Sequence, residues 1–280
     1  MTAGVRPSPA RLYASHLKGL LLGIRSKAPF RKWFQCNICG AYNSRPYSDF
    51  NRESPSCDQC GSTVRMRAMI HHASEALYGK SLVLTEWPVH PEYRGVGLSD
   101  WDGYANRLPH RVNYTNTYYH QAPFLDITKP PAEMEHTCNF IISTDVFEHV
   151  LPPVSRAFEG AMKLLKPGGT LVMSVPFALE TPETLEHYPD IHNFEIRKVG
   201  DDYELVNTLA SGEVKVHRDL VFHGGPGDTL EMRVFAKEAL RKNLEDAGFT
   251  DVRFRGESMK KYGIYWHYPW SVPVTAKAPG

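Results

Sequence analysis

Phe140-Ile-Ile-Ser-Thr-Asp-Val-Phe-Glu-His-Val150 and, one helix further on, Leu164-Leu-Lys-Pro-Gly-Gly-Thr-Leu-Val172 carry the reading of the fold. The first opens on an apolar run too short for a helix, the pattern of a strand buried on both faces. Val154, Ala157, Phe158, Ala161, Leu164 and Leu165 then recur at helical spacing. Lys166-Pro-Gly-Gly169 stops that helix, since Pro cannot continue it and Gly accepts the left-handed turn. Thr170 to Val175 is the next apolar strand. Strand, helix and strand in this order predict a parallel sheet covered by helices, α/β and doubly wound. A ligand site in such a sheet lies outside the carboxyl ends of its strands, which makes Thr144, Asp145, Glu148 and His149 candidates.

Outward from this unit, Ser81 to Thr85 reads as a first strand, Val112 to Thr117 as a second and Pro123 to Asp126 as a short third. Toward the end, Ala236, Leu240, Leu244 and Ala247 make a helix stopped by Gly248, followed by Val252-Arg-Phe254 and a tail rich in Trp and Tyr. The tail, Tyr262 to Trp270, is expected to cover the sheet more than to stack on sugars or bases. Residues 180–227 form a polar, loop-rich insertion containing His187, His192 and His223. With 280 residues and 42% hydrophobic content, the chain can bury a real core without disulfide staples.

Four of the five cysteines form two Cys-x-x-Cys-Gly pairs, Cys36 with Cys39 and Cys57 with Cys60. Two thiolates three residues apart on a tight turn can reach one tetrahedral ion, and two such knuckles close a structural zinc site with no open position. Disulfides suit a chain with a secretion signal, and a redox pair needs a thioredoxin-like context. The zinc module spans residues 33–62, and Ala41 to Ser56 is the loop it holds. A helix runs on from Ser62 to Tyr78, with Arg65 and Arg67 placed to point back at the module. Cys138 stands alone in an apolar stretch and reads as core.

Net charge is +1, but residues 1–48 hold eight basic residues and no acid, leaving 24 basic against 31 acidic in the remainder. The plain reading of such an arm, residues 1–32, is a solvated basic face; it also suits an anionic surface, whether nucleic acid, lipid or an acidic partner. Leu12, His16, Leu20 and Ile24 predict an amphipathic helix over residues 9–27, docked on its own domain or resting on a membrane. No apolar run reaches the length of a membrane span, so the expected location is cytoplasmic, with the arm as a route to peripheral contact with the inner face of the membrane.

The stretch from Phe140 to Val172, with Asp126-Ile127-Thr128 before it, resembles class I S-adenosylmethionine-dependent methyltransferases over roughly residues 81–177. The pairing of a four-cysteine module with this domain is similar to a bacterial subgroup associated with glycan and glycoconjugate biosynthesis. The resemblance implies a seven-stranded Rossmann-like sheet, with the methyltransferase domain over residues 63–280. It implies that Thr144 and Asp145 lie beside the cofactor's methionine part and that Asp126 and Ile127 lie at its adenine. It also leads to a Gly-rich turn after the first strand. Here that place begins at Glu86, and Gly95-Val-Gly97 is read as a displaced turn, leaving Asn116 or Thr117 at the ribose. The rival reading makes Arg94 to Leu98 the second strand and Asp100 the ribose acid.

Methyl transfer asks the protein to align the acceptor and, for a hydroxyl, to remove a proton. His149, His192 and His223 are the base candidates, although each alone is more often structural. Asp145 and Glu148 are alternatively a metal pair or orienting groups. The leading expectation is O-methylation of a sugar or glycan hydroxyl, with S-adenosylmethionine as cofactor and Zn2+ as structural metal. A zinc-module RNA methyltransferase and a non-catalytic scaffold stand as alternatives.

Overall fold

The computed structural model describes residues 31–225 and 227–280. The amphipathic helix expected over residues 9–27 lies outside them. β1 (Arg31–Gln35) and β2 (Tyr42–Pro46) pair antiparallel and carry the first cysteine knuckle between them. The helix Val64–Tyr78 follows the second knuckle. The Thr63 hydroxyl accepts from the Met66 amide at its start, and Gly79, at φ 66°, closes it in the left-handed conformation that glycine adopts freely.

The central sheet contains β3 (His90–Leu98), β4 (Val112–Thr117), β5 (Cys138–Thr144) and β6 (Leu165–Ser174), all parallel, with the helix Ser155–Leu164 crossing between the last two. After β6, the short strands β7 (Phe177–Ala178) and β8 (Leu185–Glu186) lead to an antiparallel sheet of β9 (Asn193–Val199), β10 (Asp202–Thr208) and β11 (Val214–His217). β12 (Phe222–His223) pairs with β13 (Thr229–Leu230), and β14 (Arg233–Ala236) enters the helix Lys237–Asp246. β15 (Thr250–Phe254) and β16 (Val274–Lys277) complete the central sheet in the order β15-β16-β6-β5-β3-β4, with β16 antiparallel to both neighbours.

Side chains alternate across this sheet, so each buried strand feeds two cores. Phe140, Ile142 and Val172 lie on the face covered by the 64–78 helix and share one buried cluster with Met69 and Ile70 of that helix and with Phe34 and Ile38 of the cysteine module. Ile141, Leu171 and Met173 face Phe158 and Ala161 of one crossover helix and Leu240 and Leu244 of the other, and Cys138 is buried on this side as expected. Burying one such large side chain contributes about 1.5–3 kcal/mol. The helix Val64–Tyr78 therefore covers one face of the sheet, and the cysteine module packs into the same core.

Four expectations change. The sheet has six strands rather than seven, because Pro123 to Asp126 forms only a single bridge, Phe124 to Tyr118, before Asp126 turns the chain by accepting from the Thr128 amide and hydroxyl. Ser81 to Thr85 is not a strand: Leu84–Glu86 is a 3-10 turn, and the Leu84 amide donates to the Asn37 carbonyl of the first knuckle. The first strand of the sheet is instead β3, lying between β4 and β5. Gly95 and Gly97 are inside it and not in a turn, so the rival reading of Arg94 to Leu98 as a strand holds, with that strand the first of the sheet rather than the second. Glycine is needed at both because the Phe140 ring crosses Gly95 and the Tyr114 hydroxyl lies over Gly97, where a Cβ would collide. Finally, the polar insertion is a small sheet with its own apolar cluster, Tyr188, Leu205, Leu230 and Met232. No helix among the described residues is long and apolar enough to cross a membrane.

Candidate functional site

The register sets Leu98 beside Thr117 and Ser143, and Thr144 beside Ser174, so four parallel strands end at one level. A cavity of about 820 Å³ opens at these ends. One half is walled by Leu98 and Ser99 after β3, Thr117 and Tyr118 at β4, Asp126 and Ile127, and Asp145 after β5. The other half lies under the insertion, with Phe194 and Ile196 of β9 above and His149, His223 and Leu230 at the side. Ser99 and Asp145, each the first residue past its strand, hold φ 55° and 54°. Left-handed conformations at residues other than glycine cost about 1–3 kcal/mol and gather where strand ends are re-aimed toward ligands.

Asp145 is held from a distant part of the chain. Arg52, in the loop between the two cysteine knuckles, donates to both of its carboxylate oxygens at 2.8 and 3.1 Å, and the Ser174 hydroxyl adds a bond at 3.0 Å. Arg65 stands 3.5 Å away and also grips Glu53 of the same loop. Burial alone would push this carboxyl up, but Arg52 and Arg65 outweigh it and hold Asp145 below the usual carboxylate range. Asp100 shows the opposite balance. It is buried beneath Tyr114, whose hydroxyl donates to it at 2.5 Å, and burial raises it to about 7.

The turn Phe147–His149 presents a second cluster, and Arg233 fixes the turn by donating to the Phe147 and Val150 carbonyls. His149 Nδ1 lies 2.8 Å from the Leu230 carbonyl, which can only accept, so Nδ1 carries the hydrogen and Nε2 keeps its lone pair. Burial lowers the His149 pKa and keeps the ring neutral. His223 Nε2 lies 2.8 Å from Glu231, and His187 Nε2 lies 2.9 Å from the other oxygen of that carboxylate. Glu148 is fully buried, and neither of its oxygens has a hydrogen-bond partner among the described residues. Burial, with the charge of Asp145 added, pushes its pKa well up.

The four module cysteines bring their sulfurs together, Cys36 to Cys60 at 3.7 Å and Cys39 to Cys57 at 3.6 Å. Four sulfurs about 2.3 Å from one ion would stand about 3.7–3.8 Å apart, so the set fits a tetrahedral metal. Gly40 and Gly61, at φ 80° and 74°, turn the chain after each knuckle while their amides donate to the Cys36 and Cys57 carbonyls. Arg67 anchors this unit as the spacing suggested. Its guanidinium donates to Ser62, Ser56 and the carbonyls of Tyr262 and Gly263.

Of the residues singled out from sequence, Thr117, Asp126, Ile127, Asp145, His149 and His223 line the cavity. Gly95, Gly97, Asn116 and Thr144 lie behind that wall, and Glu86 lies ahead of the amino end of β3. The Asn116 side chain brackets the Asp100 backbone through both its oxygen and its nitrogen, and the Thr117 hydroxyl donates to the Gly97 carbonyl, so both brace the turn after β3 from within the protein. His192 is exposed at the start of β9 and does not reach the cavity. Arg52, Glu231 and Tyr118 gave no signal in the sequence, since each stands in a loop whose path only the folded chain defines.

A family model described as a methyltransferase domain matches residues 79–253. No curated protein matches. Among solved structures, the CurJ carbon methyltransferase is similar at 15% identity and TM-score 0.42 over 71% of this chain, which spans about half of that one, 51%. The 1,6-didemethyltoxoflavin N1-methyltransferase of Burkholderia thailandensis is 13% identical with TM-score 0.40, covering 76% of this chain and 79% of that one. The sugar N-methyltransferase KedS8 of a Streptoalloteichus species is 9% identical with TM-score 0.43, covering 75% and 85%. With a family model spanning well over half of its length, from just before β3 to β15, the chain belongs to the methyltransferase-domain family.

Proposed function

We propose that the chain transfers a methyl group from S-adenosylmethionine to a hydroxyl of a sugar or glycan, and that zinc on Cys36, Cys39, Cys57 and Cys60 holds the module. The observation that carries this reading is the single cavity whose one half is walled by the strand ends and whose other half holds two histidines. When bound, the cofactor supplies an electrophilic methyl carbon on sulfur. The chain must set an acceptor oxygen in line with it and accept the hydroxyl proton as the carbon–sulfur bond breaks, its electron pair staying on sulfur. Asp145, kept ionised by Arg52 and Arg65, suits a cationic group of the cofactor's methionine part, and Asp126 suits an exocyclic amine. His149 Nε2 is a neutral base on the cavity wall. His120, Gln121 and Asp228 add polar groups for hydroxyls, and Phe194 and Ile196 offer an apolar lid, a mixture that fits a sugar.

Titration calorimetry with S-adenosylhomocysteine, run beside a zinc assay, tests the cofactor and the metal together. We expect micromolar binding and one zinc per chain. Absence of binding by zinc-loaded protein would leave the scaffold reading in its place. Methyl transfer to sugar nucleotides or glycans is the expected activity, and transfer to RNA alone would overturn the choice of acceptor.

A further inference from the structure

We infer a second metal site, distinct from the cysteine cluster, in which Glu148, His149 and His223 hold a divalent cation at the acceptor end of the cavity. The ligand atoms of the three lie within 4.8 Å of one another. His149 Nε2 is 3.9 Å and His223 Nδ1 3.8 Å from the same oxygen, Glu148 Oε1. These separations are too long for hydrogen bonds. Atoms about 2.1 Å from a common ion stand about 3–3.4 Å apart, so an ion would draw each imidazole nitrogen about 0.4–0.9 Å closer to Glu148 Oε1.

Three features make this more than proximity. Each imidazole has its other nitrogen engaged, His149 Nδ1 by the Leu230 carbonyl and His223 Nε2 by Glu231, which turns both lone pairs toward Glu148. Outer hydrogen bonds of this kind orient metal-ligating histidines. Glu148 is buried with both oxygens unpartnered among the described residues, a costly state that a cation would relieve. His149 and His223 also line the cavity, which leaves open positions facing it, the pattern of a catalytic rather than a structural centre. Two imidazoles and one carboxylate suit Zn2+, Fe2+, Co2+ or Mn2+. An ion here would take up the His149 Nε2 lone pair, so cation assistance would replace the His149 base in lowering the pKa of the acceptor hydroxyl. From the cavity side such an ion would take oxygen ligands, and an acceptor with two neighbouring hydroxyls is the class that fits. That last step rests on the sugar acceptor proposed above; the cation site does not.

The test is a Mn2+ titration followed by electron paramagnetic resonance on the full chain, with the cysteine cluster already filled by zinc. One Mn2+ per chain is expected. His223→Gln and Glu148→Gln should weaken it by about tenfold or more, and Glu231→Gln, which removes only the outer partner, by a smaller factor. Thermal melts and zinc content of each variant show whether it has folded. Failure of the folded wild-type chain to bind Mn2+, or equal binding by folded His223→Gln, overturns the site. Bound Mn2+ without transfer to any sugar would remove the acceptor reading and keep the cation. Sugar methylation with no Mn2+ bound and no change on adding it would do the reverse.

Discussion

The cysteine cluster and the histidine cluster are built in opposite ways. Cys36 to Cys60 gathers four ligands within one short stretch, each pair set by a local turn that Gly40 and Gly61 permit. Glu148, His149 and His223 meet only because β12 returns past the turn that follows β5, with Leu230 of β13 and Glu231 just after it orienting the rings. The first arrangement is enclosed by protein; the second faces a cavity. A locally encoded cluster can nucleate structure, whereas an assembled one depends on structure already formed. The two regions are joined by Arg52, which leaves the loop between the knuckles and grips Asp145 at the strand end.

The strongest way to break this contrast is to remove a module ligand. Because the module shares the buried cluster under the 64–78 helix, Cys39→Ser should abolish the cooperative thermal transition or lower its midpoint by roughly 20 °C, given about 10 kcal/mol for the structural zinc proposed there. A melt close to wild type would show that the module is an appendage. Arg67→Met attacks the same region without touching a ligand. Leaving its carbonyl partners buried and unpaired should cost about 3–5 kcal/mol, read as a lower urea midpoint.

Asp100 tests the strand-end turn through pH. Its carboxyl ionises near pH 4 when unfolded and near 7 when folded, so the unfolded chain releases its proton first. The wild type should therefore lose stability as pH rises from 4 to 7, by up to about 4 kcal/mol, and no further above 7. Urea midpoints of Asp100→Asn at pH 5 and pH 8 should lie closer together than those of the wild type, and equal spacing would reject the buried carboxyl. Arg52→Ala tests the link between the two regions. It should lower the melt by less than Arg67→Met does, since Arg65 stays near Asp145, and weaken S-adenosylhomocysteine by about tenfold, or about 1.4 kcal/mol, in calorimetry. Unchanged affinity would mean that the module loop does not act on the cofactor half. The smallest effect is expected for His192→Ala, whose methyl transfer should stay within about twofold of wild type, as for an exposed residue away from special contacts.

Much of the fold was legible because its signals are short-range. The run Phe140 to Ile142, the helical spacing from Val154 to Leu165 and the Lys166-Pro-Gly-Gly169 stop appear as strand, crossover and strand, although β6 begins already at Leu165. The first strand was misplaced for a physical reason. Ser81 to Thr85 is apolar because Val83 and Leu84 pack beneath the module, not because they join the ladder. Gly95-Val-Gly97 reads as a turn, against the rival strand Arg94 to Leu98, because its two glycines make room for Phe140 and Tyr114 on neighbouring strands. The insertion read as loop because its strands carry charged outer faces and few apolar residues.

The sequence by itself determined the parallel α/β core, the thiol cluster and the identity of Asp145 and His149 as strand-end groups, since strand and helix periodicity, knuckle spacing and stop residues act over a few residues. Tertiary structure alone decided that Arg52 meets Asp145, that His223 rather than His192 joins His149, and that Glu148 is buried without a hydrogen-bond partner among the described residues. Those choices rest on pairings between residues far apart in the chain, 93 positions for Arg52 with Asp145 and 81 for His149 with the Leu230 carbonyl. No local propensity encodes such separations; packing of the module and the insertion onto opposite sides of the strand ends does.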